Sequence, residues 1–106
     1  MRYILNSAVI TAPGVYKYTK IGEDWAWAWL VSGPYVSAIG YAETAEALSK
    51  LMGREIPANR IHVEMQPGDE ALVFRLTRRA EPGQKGQLTS DEIIQQAEFG
   101  LLVRIE

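Results

Sequence analysis

The run Ala71-Leu72-Val73-Phe74 is apolar at every position and leads straight into Arg75-Leu76-Thr77-Arg78-Arg79. Successive side chains of a strand point to opposite faces of its sheet. A strand over Ala71 to Arg79 therefore buries both faces in its first half, and it belongs in the middle of a sheet that is covered above and below. The rest of the chain must supply the flanking strands and the covering layers.

Patterning supplies them. Tyr3 to Ala8 reads as a short buried strand, and Val15 to Thr19 alternates as a second one after the Thr11-Ala12-Pro13-Gly14 turn. Asp24 to Val31 reads as a helix, with Asp24 as N-cap and Gly33-Pro34 as its stop. On it, Trp25 and Trp29 share a core face and Trp27 points the opposite way. Val36 to Ile39 is a strand, followed by a sharp turn at Gly40. Glu43 to Met52 is a helix with Ala45, Leu48, Leu51 and Met52 on one face, and Gly53 closes it. Ile61 to Met65 alternates as a strand, joined through a Pro67-Gly68-Asp69 hairpin to the central one. After the Glu81 to Gly86 loop, Ser90 caps a helix to about Ala97, and Leu101 to Ile105 is the last strand. The expected order is β-β-α-β-α-β-β-α-β. It describes one α/β domain over residues 1–106, a mixed β-sheet flanked by helices.

Composition excludes several function classes. The chain of 106 residues has no cysteine and one histidine, so disulfides, thiolate zinc sites and a cysteine nucleophile are ruled out, as is a His-rich metal site. No P-loop, dinucleotide fingerprint, nucleophile elbow or paired-histidine motif occurs. No resident metal or cofactor is expected. Eleven basic residues against 13 acidic ones lack the surplus of a protein that coats duplex DNA. No apolar run approaches the ~20 residues that span a bilayer, and Met1 to Asn6 is too short and too quickly polar for a signal peptide. The expected location is cytoplasmic, the host cytoplasm if the source is a virus.

Three local features bear on binding. Arg75, Arg78 and Arg79 gather at one strand's end beside a Gly-rich loop. Arginine grips phosphate through paired hydrogen bonds; charged strand ends also simply blunt aggregation. Asn59-Arg60 opens the Ile61 strand, with His62 on the Arg60 face. This reads as an anion contact near an imidazole, or as a polar outer face. Trp27 lies off the core face, where it stacks on a base, fills a partner's pocket or packs under a loop.

Four stretches taken together carry a resemblance: Tyr3-Ile4-Leu5-Asn6-Ser7, then Ser37-Ala38-Ile39-Gly40-Tyr41, then Asn59-Arg60-Ile61, then Asp69 to Arg79 with the Gly83 loop and Phe99-Gly100-Leu101-Leu102. Their order and spacing resemble the type III anti-CRISPR ring nucleases of archaeal viruses, bacteriophages and mobile elements. The resemblance implies a homodimer that binds cyclic tetra-adenylate across its two-fold axis. It implies metal-independent cleavage, in which a ribose 2′-hydroxyl attacks the neighbouring phosphate and leaves a 2′,3′-cyclic phosphate.

Carried over residue by residue, the resemblance places binding groups at Asn6 and Arg60, and Ser7, Gly40 and Arg75 are the further candidate ligand contacts. It places charge stabilisation at Arg79. The family's catalytic histidine, which follows its Ile-Gly pair, is replaced by Tyr41. Its glutamate position holds Pro82, with Glu81 one residue earlier. Histidine has a reference pKa of about 6.5 and tyrosine about 10, so tyrosine is the poorer proton donor. The expectation is a cyclic-oligonucleotide binder with weakened or absent cleavage. Two alternatives stand beside it: an active nuclease using Arg79 with Glu81 or His62, and a protein-interaction module without a nucleotide ligand.

Overall fold

A computed structural model describes residues 1–7, 12–76, 94 and 97–106. Its elements are β1 (Arg2–Leu5), β2 (Tyr16–Ile21), α1 (Glu23–Val31), β3 (Val36–Ser37), α2 (Ala42–Met52), β4 (Glu70–Leu76) and β5 (Ala97–Arg104). The five strands form one mixed sheet in the order β2-β5-β4-β1-β3. The strand with two apolar faces, β4, lies in the middle. It runs parallel to β1, pairing Ile4 with Leu72 and Leu5 with Val73, and antiparallel to β5, pairing Val73 with Gly100 and Phe74 with Phe99.

The two faces of β4 enter two different layers. Leu72 and Phe74 pack with Ile4 and Phe99 against both helices, through Ala26 and Leu30 of α1 and Ala45, Leu48 and Met52 of α2. Ala71 and Val73 face the other way, with Leu5, Ala38 and Leu102, and are covered by Val63 and Met65. This second layer corrects the sequence reading. Residues 61–65 are not a strand, and residues 67–68 form a turn without a hairpin. Both sides of β4 are already occupied by β1 and β5, so the alternating segment has no slot beside β4 in which to form the expected hairpin. It crosses the sheet face as a strap, and its period of two still turns Val63 and Met65 inward.

Several boundaries move. Helix α2 begins at Ala42, and Gly53 ends it in the left-handed region at φ 67°, a conformation glycine adopts without steric cost. Helix α1 begins at Glu23 after Gly22, so Asp24 is not its N-cap but a first-turn acid facing the positive helix end. The strand expected over Val36 to Ile39 is regular only through Ser37, although Ala38 N–H still donates to the Ile4 carbonyl at 2.8 Å. Strand β5 starts at Ala97, well before the expected Leu101. Ile94 is helical, and the rest of the helix expected from Ser90 up to that strand lies outside the described residues.

The core face of α1 also differs. Ala26 and Leu30 are fully buried, whereas Trp25 is 73 % exposed and Trp27 52 % exposed. A methyl group at Ala26 lets the helix approach the sheet closely. The half-buried Trp29 lies at the edge of this contact, where its Nε1–H donates to Glu70 at 2.9 Å. The Arg2 guanidinium stacks 3.8 Å from the Trp29 ring and donates to the Trp29 carbonyl, closing the helix end.

Asp69 joins the strap to the sheet. Its carboxylate accepts the Gln66 N–H at 2.8 Å and the Met1 amino group at 3.0 Å, while its carbonyl accepts the Arg104 N–H at 3.0 Å. Burial pushes the Asp69 carboxyl up, but the hydrogen bonds from Gln66 and the amino group, with the nearby Arg104 charge, outweigh it and hold it below its usual range. A carboxyl lowered on folding adds stability above its unfolded pKa, and that stability is lost as pH falls through the folded value. Asp69→Asn should cost about 1–3 kcal/mol at pH 7. The gap to wild type should close below the ordinary carboxylate range, as read by urea melts along a pH series. Leu48→Ala, at the centre of the helical layer, should cost ~2–5 kcal/mol at all pH values.

Candidate functional site

The parallel strands β1, β3 and β4 all end at one edge of the sheet, with β1 between the other two. The chain leaves β3 into α2 and returns in β4 on the far side of β1. Crevices of this kind, outside the carboxyl ends of parallel strands where the strand order reverses, are where open α/β sheets take ligands. Asn6 and Ser7 follow β1 here, Gly40 and Tyr41 follow β3, and the amino end of α2 opens at Ala42.

A short clasp brings Arg60 to the same place. The Ser37 hydroxyl donates to the Pro57 carbonyl at 2.6 Å, the Asn59 side-chain amide donates to the Ser37 carbonyl at 2.7 Å, and the Asn59 N–H donates to the Ile39 carbonyl at 2.8 Å. These bonds hold residues 57–59 beside residues 37–39. The stem of Arg60 then lies over Gly40, where an added Cβ would stand 3.5 Å from Arg60 Cγ, an ordinary contact. Its guanidinium is 5.9 Å from the centre of the Tyr41 ring, within cation–π range. Gly40, Tyr41 and Arg60 therefore form one contiguous surface, with Arg60 exposed and the other two half-buried.

Arg75 reaches the same edge by register. Leu5 pairs with Val73, so Ser7 and Arg75 each stand two residues beyond that pair. Arg75 is already engaged. Its Nε donates to Glu98 at 2.7 Å and its Nη2 lies 2.6 Å from the same oxygen, while Lys20 approaches the other Glu98 oxygen at 3.3 Å. The bond to Arg75, then that to Lys20, holds the Glu98 carboxyl below its usual range; the bond to Glu98 likewise raises Arg75. Arg75 is a fixed cation in a cross-strand ion pair.

Arg79 and Glu81 lie outside the described residues, as do Arg78 and Pro82. His62 is exposed on the strap, 3.5 Å from Glu64, and no strand places it on a common face with Arg60. Three positioning residues escape a reading of local pattern. Asn59 is visible there only as the neighbour of Arg60, Ser37 as a strand residue, and Glu98 only once the register between β4 and β5 is known. Among the described residues, no three His, Cys, Asp or Glu side chains gather as a metal site, and no helix is long and apolar enough to cross a membrane. The crevice offers guanidinium groups, an aromatic hydroxyl and the amino end of a helix. Such groups suit an anionic ligand with planar parts.

The chain is similar to proteins from Acidianus and Sulfolobus viruses and from Bacillus subtilis. It is 42 % identical over 77 residues to the uncharacterized protein YddF of Bacillus subtilis strain 168, covering 71 % of each chain. It is 36 % identical over 87 residues to the uncharacterized protein 26 of a Sulfolobus islandicus filamentous virus, covering 78 % of this chain and 74 % of that one. Among solved structures, B116 of Sulfolobus turreted icosahedral virus superimposes with a TM-score of 0.75 at 25 % identity, covering 97 % of this chain and 98 % of B116. The STIV B116-like family pattern matches residues 2–101, and the chain belongs to that family.

Proposed function

We propose that this chain binds a cyclic oligoadenylate as a homodimer and cleaves it slowly or not at all, so that it blunts type III CRISPR signalling chiefly by holding the messenger. The observation that carries this reading is the surface of Gly40, Tyr41 and Arg60 at the sheet's carboxyl edge. It unites the adjacent Gly40 and Tyr41 with Arg60, about twenty residues away in the chain, and sets a cation and an aromatic group in contact range. Asn6 and Ser7 border it, and Arg75 adds a second fixed positive charge at the same edge.

Ring cleavage of this kind needs an in-line 2′-hydroxyl, charge stabilisation on the phosphate and a proton for the departing 5′-oxygen. Arg60 and Arg79 supply positive charge. Tyr41 sits where an acid would act, and its hydroxyl donates a hydrogen bond but yields a proton reluctantly at neutral pH. The loss of a general acid typically lowers rate by ~10²–10⁴-fold. A second reading has its own observation. Trp25 and Trp27 are both largely exposed on α1, as an interaction module without a nucleotide would present them.

Purified protein mixed with cyclic tetra-adenylate, with binding and linear product both followed by chromatography, separates the readings. The expected result is binding with little product, and a melting shift worth about 2.7 kcal/mol at 100 times the dissociation constant. Tyr41→His should raise cleavage by ~10²–10⁴-fold while leaving affinity nearly unchanged. Wild-type turnover that survives Tyr41→Phe undiminished would refute the proposed role of Tyr41. Absence of any binding would favour the interaction module.

A further inference from the structure

Tyr18 has an arrangement that the reading above does not use. It projects from β2 onto the sheet face that carries Gly100, Glu98 and Arg75. Its ring lies over the Gly100 backbone: a Cβ at Gly100 would collide with Cζ, Oη and Cε1 of Tyr18. Gly100 is buried beneath it, yet Tyr18 itself is 37 % exposed. Arg75 stands on the same face two strands away, held in place by Glu98. One face of the ring thus lies on the sheet, and a fixed guanidinium stands on the same side of it.

A tyrosine included only to cover a glycine needs no fixed cation on its face of the sheet. A flat aromatic laid on a sheet, with an arginine fixed alongside, has what single-stranded nucleotide sites use. The base stacks on the ring and the neighbouring phosphate meets the guanidinium. We propose that Tyr18 is a base-stacking platform: a purine of the bound nucleotide lies on its outer face while Arg75 takes the adjoining phosphate. The inference rests on the proposal that the chain binds an oligonucleotide, and it extends that site across β5 to β2. It also gives the ion pair of Arg75 and Glu98 a purpose, since the pair keeps the guanidinium in a constant plane beside the ring.

Calorimetric titration of cyclic tetra-adenylate into wild type, Tyr18→Phe and Tyr18→Leu tests this. Phenylalanine keeps the stacking face, so its affinity should stay within about threefold of wild type; leucine should weaken binding by roughly 10- to 100-fold. A parallel titration of wild type with adenosine 5′-monophosphate should shift the Tyr18 ring-proton resonances upfield as the purine stacks. Equal affinity of wild type and a folded Tyr18→Leu variant overturns the platform and leaves the oligonucleotide reading standing. Should wild type not bind the cyclic ligand, or should Tyr18→Leu not fold, the mononucleotide titration decides. Shifted Tyr18 protons uphold the platform, and unmoved protons overturn it.

Discussion

The structure depends on a strand that must be dry on both sides. The run of four apolar residues in β4 cannot face water on either side without losing roughly 1.5–3 kcal/mol per large side chain. The chain answers with two unequal covers. Two helices close one face, as in any layered α/β domain. The other face is closed by a strap with no regular structure, held at one end by the Asn59 and Ser37 bonds and at the other by Asp69 and Arg104. The strap economises on residues, and it brings Arg60 to the sheet's carboxyl edge.

This dual service explains why fold and site are hard to separate. The hydrogen bonds that hold the strap over Ala71 and Val73 are the ones that seat Arg60 on Gly40. A change at Ser37 or Asn59 would disturb the second core layer and the candidate site together. Tyr41, immediately before α2, is fixed by the helix itself. Arg75 is fixed by its cross-strand partner. Each candidate group is thus held by an element whose packing lies elsewhere, which keeps an exposed surface in constant shape.

Elements with a strong local signal are legible from the residues. Helix α2 has four apolar positions at helical spacing and a glycine that stops it in the left-handed conformation. β4 declares itself by its double apolar face. The strap misleads because period-two alternation reports only that one side is buried, not that the backbone is paired; Val63 and Met65 satisfy it without a ladder. Trp25 misleads because a large apolar side chain suggests burial, whereas close approach of helix to sheet favours the small Ala26. The carboxyl edge is legible through the residues Asn6, Gly40, Tyr41 and Arg60. Glu98 and Tyr18 are not, because their partners are set by strand register, which no local pattern encodes.

The strand order also decides when this chain can fold. β2 is made early, at residues 16–21, yet in the sheet its neighbour is β5, at residues 97–104. β1 in turn waits for β4, some two-thirds of the way along the chain. During synthesis the helices can form as they emerge, but the sheet has no core until β4 exists, and β2 stays unpaired until β5 leaves the ribosome. Long-range pairing of this kind folds slowly relative to local structure. Assembly of the sheet is therefore a late event in folding, and the carboxyl-edge surface comes into being only with it.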